Sequence, residues 1–407
     1  MKLYKIALRN ITRNKRRTIS TTLSIFIALL FAILIRSLQE GTYNTMINQS
    51  IGETYGYLQI QGKDYFDDPS IDNDIDYSAE LLQKIRSTEG VKSVTPHIQT
   101  GALVSSGNKS KPVMVMSIYP DSADNLFINH MKLISGKMLS KEDNAVMLSG
   151  QLAKYLNINT GDTIVLIGQG YHGYSAAGLF PVKGTLNSPN VQINNKLICM
   201  SVKGMQQWLN LPNLINYIAI DITDTKDLNS VQENIEKKIS GSPLIIKNWK
   251  EINPDIERGI NADRNGGKAI IYLLYIIVFF GILGTTLMTI NERKKELCVN
   301  MAIGMKRNQI KKIVFIEMLT TCFLGIILAL VIDIPLILYL TINPIIFTGN
   351  AAAAFIKLGY APIMPCGGLT PFIWYQTSYV ILMVSIAIMF SFRKINKLNI
   401  SESLHIS

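Results

Sequence analysis

Residues 269–310 read AIIYLLYIIVFFGILGTTLMTIN and then ERKKELCVNMAIGMKRNQI, 23 residues without a charge running straight into a segment dense in Lys, Arg and Glu. At about 1.5 Å per residue, an uncharged helix of that length crosses a hydrocarbon core of about 30 Å. The flanking Lys268 and Glu292 put charge at both ends of the run, where headgroups and water receive it. The junction predicts a membrane span that stops at a charged loop. Three more runs share this character. Thr18 to Ile35 is 18 residues without charge, Ile313 to about Leu340 is interrupted only by Glu317 and Asp333, and Phe372 to Phe392 ends at Arg393 and Lys394. The expected spans are therefore 18–35, 269–291, 313–340 and 372–392.

The rest of the composition agrees with a membrane protein. Of 407 residues, 48% are hydrophobic and 17% charged, which excludes a disordered chain. The net charge of +11 is unevenly placed: segments 1–17, 292–312 and 393–407 carry seventeen cations against three acids, so the remainder is −3. Basic segments abutting apolar runs follow the positive-inside pattern, which puts both termini and the 292–312 loop in the cytoplasm. The first run is longer than a signal-peptide core, and Arg36 to Glu40 offer no small-x-small cleavage site, so it reads as a retained anchor. Ahead of it, Tyr4, Leu8 and Ile11 face one way on an amphipathic helix while Lys2, Lys5, Arg9 and Arg13 spread elsewhere. Such a helix lies on an anionic inner leaflet of the lipid bilayer; without an aromatic stacking platform, nucleic acid is not the expected partner.

That topology leaves a large extracytoplasmic segment, 36–267, and a smaller one, 341–371. Two parts of the large segment look alike. Tyr57 to Gln61 alternates as a strand, Ser78 to Glu89 reads as a capped helix, and Ile98 to Val104 is strand-like. Later, Tyr217 to Ile222 alternates, Leu228, Val231, Ile235 and Ile239 have helical spacing, and Leu244 to Ile246 is apolar again. Two β-α-β halves of one subdomain are the simplest reading, with about 120–211 inserted between them as a β-rich barrel or sandwich. The expected class is thus an α-helical membrane protein with four transmembrane helices and a large extracytoplasmic α+β domain, a split βαβ subdomain carrying an inserted β-rich one.

No catalytic constellation is visible. The four histidines, His97, His130, His172 and His405, form no metal-ligand spacing, and neither H-E-x-x-H nor G-x-S-x-G occurs. Asn265 to Ala269 lacks the first glycine and the Ser/Thr of a phosphate loop. We therefore expect no catalytic residue, no metal and no directly bound nucleotide. Of the four cysteines only Cys199 and Cys366 fall outside the cytoplasm and the spans, where a disulfide is open to them.

The charged loop carries the most specific pattern. Glu292, Arg293, Glu296, Leu297, Ala302, Gly304, Met305, Lys306, Arg307, Ile310 and then Glu317 resemble the signature of the FtsX/MacB-like ABC transporter permeases, in which E-R-x-x-E-L leads through A-x-G to a basic segment, an Ile and a Glu. Cys298 and Asn300 depart from the family's usual Gly and basic residue, which puts tight helix packing at 298 in question. Ala7 to Asn10, Ser135 to Leu139 and Leu156 to Thr163 extend the likeness across the chain. Within the family, length, four spans and a split external domain resemble the lipoprotein-releasing permeases; a MacB-type exporter carries a fused ATPase and cell-division FtsX permeases have a smaller external domain.

The resemblance implies a non-enzymatic permease subunit in a bacterial inner membrane. Its partners would be a cytoplasmic ABC ATPase dimer, which binds ATP and Mg, and a second permease subunit, homo- or heterodimeric. Lipoprotein substrate and a periplasmic carrier are implied too; export of a peptide or small molecule, or switching an external wall hydrolase, are the alternatives. The ATPase-coupling residues it implies are Glu292, Arg293, Glu296, Leu297, Ala302, Gly304, Lys306, Arg307, Ile310 and Glu317. Glu317, about one turn inside the third run, needs a partner there, and Arg293 is the expected one; a proton relay is the alternative. Asp333 lies 16 residues further, roughly 24 Å along the helix, with a capping or interfacial role and an intramembrane functional one both open. The stretch 168–180 reads as a long exposed Gly-rich loop, and its Tyr171, His172, Tyr174 and Phe180 are candidates for contact with carrier or substrate.

Overall fold

In the computed structural model, residues 3–52, 55–119, 131–188, 193–211, 213–357 and 361–396 are described. Residues 120–130, where the insertion was expected to open, and the tail beyond 396 lie outside them. The chain folds as two units, one of residues 1–44, 259–345 and 364–407, the other of residues 45–258 and 346–363.

The first unit begins with α1 (Leu3–Arg13) and α2 (Lys15–Ile47). The uncharged run predicts a helix ending near Ile35, but α2 continues twelve residues further. Arg36 and Glu40 form an i,i+4 ion pair on its surface, so the charges that end the apolar run support the helix instead of breaking it.

The second unit opens with β1 (Leu58–Gly62), α3 (Ala79–Arg86) and β2 (Val91–His97). Ser78 caps α3, its hydroxyl accepting from the Leu81 amide at 3.1 Å. The chain then enters a second sheet through β3 (Gln99–Ser106), β4 (Lys109–Ile118), β5 (Lys132–Gly136), β6 (Val146–Ser149), α4 (Gly150–Leu156), β7 (Thr163–Gln169), β8 (Ser175–Asn187), β9 (Leu197–Ser201) and α5 (Val202–Leu209). It returns with β10 (Tyr217–Ile222), α6 (Leu228–Ile239) and β11 (Leu244–Asn248). The first sheet has the order β11-β1-β10-β2 with every neighbour antiparallel, Ile60 lying opposite Ile218 on one side and Ile246 on the other. α6 buries Leu228, Val231, Ile235 and Ile239, the four positions spaced for it in the sequence.

Two boundaries move from their expected places. The strand completing the first β-α-β half is Val91–His97, and the expected strand Ile98 to Val104 belongs mostly to β3 of the other sheet. The insertion accordingly opens at Gln99, not near 120. Only Ile98 separates the two strands, and the period-2 pattern marks extended chain without saying which sheet receives it.

The inserted sheet closes on itself. β3 pairs with β4 and β7, β7 with β8, β8 with β6, β6 with β9, and β9 with β4, a six-stranded barrel with β5 added along β8. Two of these pairings, β4–β9 and β6–β8, are parallel. Met116, Ile118, Met147, Leu186, Leu197 and Cys199 fill part of its interior. Gly136, at φ +82, is required where β5 meets β8, because a Cβ there would sit 2.3 Å from the Lys183 carbonyl oxygen. Cys199 is wholly buried in this core and is not bonded to Cys366, so the disulfide left open by the sequence is not formed.

Asn216 ties the passage between the two sheets together. Its side-chain oxygen accepts from the Gln99 amide, its own amide donates to the His97 carbonyl at 3.0 Å, and its side-chain nitrogen donates to Asp74. Burial, opposed by the Asn216 bond and assisted by Asp72, pushes the Asp74 carboxyl up to about 7; burial also pushes the fully enclosed His97 down to about 4, against a hydrogen bond with Ser117. The raised carboxyl gives stability that is complete below about pH 4 and lost as pH rises through about 7. The lowered imidazole acts oppositely, its stability complete above about pH 6.5 and lost as pH falls through about 4. The two slopes oppose each other between about pH 4 and 6.5, one proton each. Replacing Asp74 by Asn removes one slope. The variant should match wild type near pH 3.5 and exceed it increasingly toward pH 8, by up to about 4 kcal/mol at about 1.4 kcal/mol per pH unit. Thermal unfolding across pH measures this, and a constant gap would refute it.

The first unit resumes with α7 (Pro254–Glu292), α8 (Lys294–Ala302), α9 (Arg307–Ile342) and, after residue 371, α10 (Phe372–Asn396). With α2, the helices α7, α9 and α10 make four that are long and apolar enough to cross a membrane. Their inner faces meet in one core that includes Ile25, Leu29, Ile282, Val314, Val380 and Ile388. Gly325 brings α9 against α2, since a Cβ there would lie 2.9 Å from Ile25 and 3.0 Å from the Thr22 carbonyl. The outer faces are apolar as well: Ile270, Ile277, Phe280, Val331, Trp374 and Leu382 are each more than half exposed. A bundle apolar inside and out is solvated by lipid.

Candidate functional site

The site grows from the end of α7. The backbone leaves helical geometry at Arg293, α8 follows, and the chain reverses through Gly304, whose φ of +103 suits glycine and strains any residue with a Cβ. Lys306 then opens α9, its amide donating to the Gln309 side chain at 2.8 Å. This hairpin of helices buries Leu297, Cys298, Met301 and Ile310 in the bundle core. Cys298 is fully enclosed, so the packing questioned at that position is tight with a thiol in place of glycine.

Arg293, only 7% exposed, is the centre. Its Nη1 donates to both Glu317 oxygens at 3.0 and 2.9 Å, while Nε and Nη2 donate to the two Glu296 oxygens at 3.1 and 3.3 Å. Asn10 of α1 donates to Glu317 Oε1 at 2.6 Å, and Arg13 of α1 donates to Glu296 Oε2 at 2.6 Å. Two carboxylates and two guanidinium groups thus form a neutral chain from α1 through α8 to α9. Burial alone would raise the Glu296 carboxyl, but its bonds with Arg293 and the nearby Arg13 charge hold it below the usual carboxylate range. The same carboxylates overcome the burial of Arg293 and keep it firmly cationic. Beside the pair lies a cavity of about 20 Å³ lined by Asn10, Thr21, Thr286, Thr289, Glu317 and Thr321, room for one water.

The sequence-predicted residues separate into two groups. Arg293, Glu296, Leu297, Ile310 and Glu317 come together in the packed base. Glu292, Ala302, Gly304, Lys306 and Arg307 lie on the exposed rim, beside Ile303, which is 81% exposed. The expected Arg293–Glu317 pair is present. Asn10 and Arg13 were not foreseen as members, although Asn10, one turn from buried Ala7, is a polar residue on the face of α1 that packs inward.

Asp333 is fully buried on α9, and neither carboxylate oxygen has a hydrogen-bond partner among the described residues. Its helix runs on to Ile342, so the capping alternative falls. The Gly-rich stretch is corrected as well: β7 and β8 pair from Thr163 opposite Pro181 to Gln169 opposite Ser175, leaving only a tight turn over Tyr171–Gly173. Small residues Ala176, Ala177 and Gly178 conceal a strand that composition alone reads as loop. Tyr171, His172 and Tyr174 do lie at the tip, the His172 amide donating to Asp72 at 2.6 Å. Phe180 does not; it is buried in β8 with its ring edge toward Trp208 at 6.1 Å.

Four apolar helices, a polar-locked reversal between α7 and α9 and a mixed α/β unit between α2 and α7 define a multi-pass membrane protein with a substantial domain outside the bilayer. Residues 18–238 match the MacB-like periplasmic core domain and residues 268–400 the FtsX-like permease C-terminal. The chain belongs to this family of ABC transporter permeases. It is 22% identical over 339 residues to the macrolide export ATP-binding/permease protein MacB of Aggregatibacter actinomycetemcomitans, covering 80% of this chain and 51% of that protein. It is also 22% identical over 328 residues to the lipoprotein-releasing system transmembrane protein LolE of Haemophilus influenzae, covering 78% of this chain and 77% of that protein. The chain spans about half the length of the MacB relatives it matches. Among solved structures, the periplasmic region of MacB from Actinobacillus actinomycetemcomitans aligns with 52% of this chain and 97% of its own, at 18% identity and a TM-score of 0.35.

Proposed function

We propose that this chain is the permease subunit of an ATP-driven transporter that releases lipoproteins from a bacterial inner membrane by mechanical transmission. The observation that carries the reading is Arg293, held between Glu296 and Glu317 and tied through Asn10 and Arg13 to α1. A loop locked to the bundle at its base and exposed at its rim is built to pass a push from a cytoplasmic ABC ATPase dimer into the helices. ATP and Mg reside on that ATPase, and a second permease subunit completes the pair. Clustered cations at 1–17 and 292–312 favour cytoplasmic termini and loop. The extent shared with LolE in both chains favours lipoprotein release; identity to MacB keeps export of a small molecule as the second reading. Tyr171, His172 and Tyr174 at the hairpin tip are the candidate contacts for a periplasmic carrier.

The test is substitution at the rim. Gly304→Pro, or reversal of charge at Lys306 and Arg307, should abolish transport while ATP hydrolysis by the co-purified ATPase persists and membrane insertion is unchanged. Normal transport by these variants would sink the coupling role. Mass spectrometry of acylated peptides retained in mild detergent then separates lipoprotein release from small-molecule export.

A further inference from the structure

A second polar cluster lies at the opposite end of the bundle, where the chain leaves for the mixed unit. Arg36 follows the uncharged run Thr18–Ile35, and Arg264 stands five residues before the run beginning at Ala269. Glu40 joins them: its Oε1 accepts from Arg36 Nη2, and its Oε2 lies 3.5 Å from Arg264 Nη2. The Arg264 guanidinium also sits 5.5 Å over the ring of Tyr43, whose hydroxyl donates to Asp263 at 2.5 Å. Yet each guanidinium keeps a buried nitrogen without an acceptor among the described residues, Nη1 on Arg36 and Nε on Arg264. Two cations share the Glu40 carboxylate, while Asp263, the other acid of the cluster, is turned to Tyr43.

Unused guanidinium donors are rare in a buried setting, because desolvating an N–H without replacing its water is unfavourable. We propose that Arg36 and Arg264 together bind a phosphate-class oxyanion through these two free donors. Arginine's fixed fork suits phosphate oxygens, and the Glu40 carboxylate already holds both side chains at one place. At the edge of the apolar runs the abundant phosphate is the diester of a phospholipid headgroup, while free phosphate offers the same chemistry from solution. The inference needs only the membrane placement of the bundle and is independent of what is transported.

Native mass spectrometry of the full-length chain in mild detergent tests it with three probes: a short-chain phosphatidylglycerol, the diacylglycerol of the same acyl length, and inorganic phosphate. The phospholipid should bind at least tenfold more tightly than the diacylglycerol, and Arg36→Gln with Arg264→Gln should remove that preference. Arg36→Lys with Arg264→Lys should weaken it partially, and Arg393→Gln should leave it intact. Competition by inorganic phosphate would identify free phosphate as an accepted source; its absence would identify the lipid headgroup. Equal binding of phospholipid and diacylglycerol to the wild-type chain would overturn the proposal without recourse to any variant. Preference that survives in the folded double Gln variant would overturn it too, assigning the binding to the bilayer-facing surface in general.

Discussion

Arg293→Ala should cost the helical bundle about 3–5 kcal/mol, the cost of leaving a buried carboxylate without its counter-charge. Glu317 is 6% exposed, and without Arg293 only the neutral Asn10 side chain would remain as its partner among the hydrogen bonds at this site. Glu317→Ala should cost a similar amount because the guanidinium would then be under-compensated, with only Glu296 facing it. The pair Arg293→Met with Glu317→Leu should recover most of the loss, since apolar groups of similar volume often replace a buried ion pair at no cost. Thermal unfolding in detergent measures the cycle. Recovery of stability without recovery of transport would show that the ion pair serves more than folding, as the proposed coupling role requires. If Arg293→Ala stays within about 1 kcal/mol of wild type, the guanidinium is not the keystone of this site.

Asp333→Leu should instead stabilise the bundle, by about 1–3 kcal/mol, because it removes a fully buried carboxyl whose two oxygens have no partner among the described residues. Asp333→Asn should fall between the two. Stability that rises while transport is lost would show that the carboxyl is kept for work and not for folding. A variant less stable than wild type would show instead that Asp333 has a partner in the assembled transporter.

The periodicity of the chain announced most of the secondary structure. It announced α6 by its apolar spacing, α3 by its Ser78 cap, and the four candidate spans by their length without charge. Where it erred, local pattern was compatible with two tertiary outcomes. His97 and Gln99 are one residue apart and both extended, yet they serve different sheets, since pairing partners and not alternation decide which edge a strand joins. Ser175 to Gly178 has side chains small enough for a loop, but its hydrogen bonds to β7 make it strand. Phe180, read as a loop aromatic, is therefore core.

The sequence by itself determined that this chain lives in a membrane, how many apolar helices are available to cross it, and that the charged stretch after Asn291 is a coupling candidate. The first two follow from composition over a dozen or more consecutive residues, and such sums survive ignorance of the fold; the third is what the resemblance of 292–317 to the permease signature implies. Only the tertiary structure decided that Asn10 and Arg13 complete the Arg293 site, that the inserted strands close into a barrel, and that Asp333 and the two arginines near Glu40 hold polar atoms to spare. The physical reason is that hydrogen bonds such as Asn10 to Glu317 join residues 307 positions apart. A contact of that range leaves no mark on local spacing, and it exists only once the helices have packed.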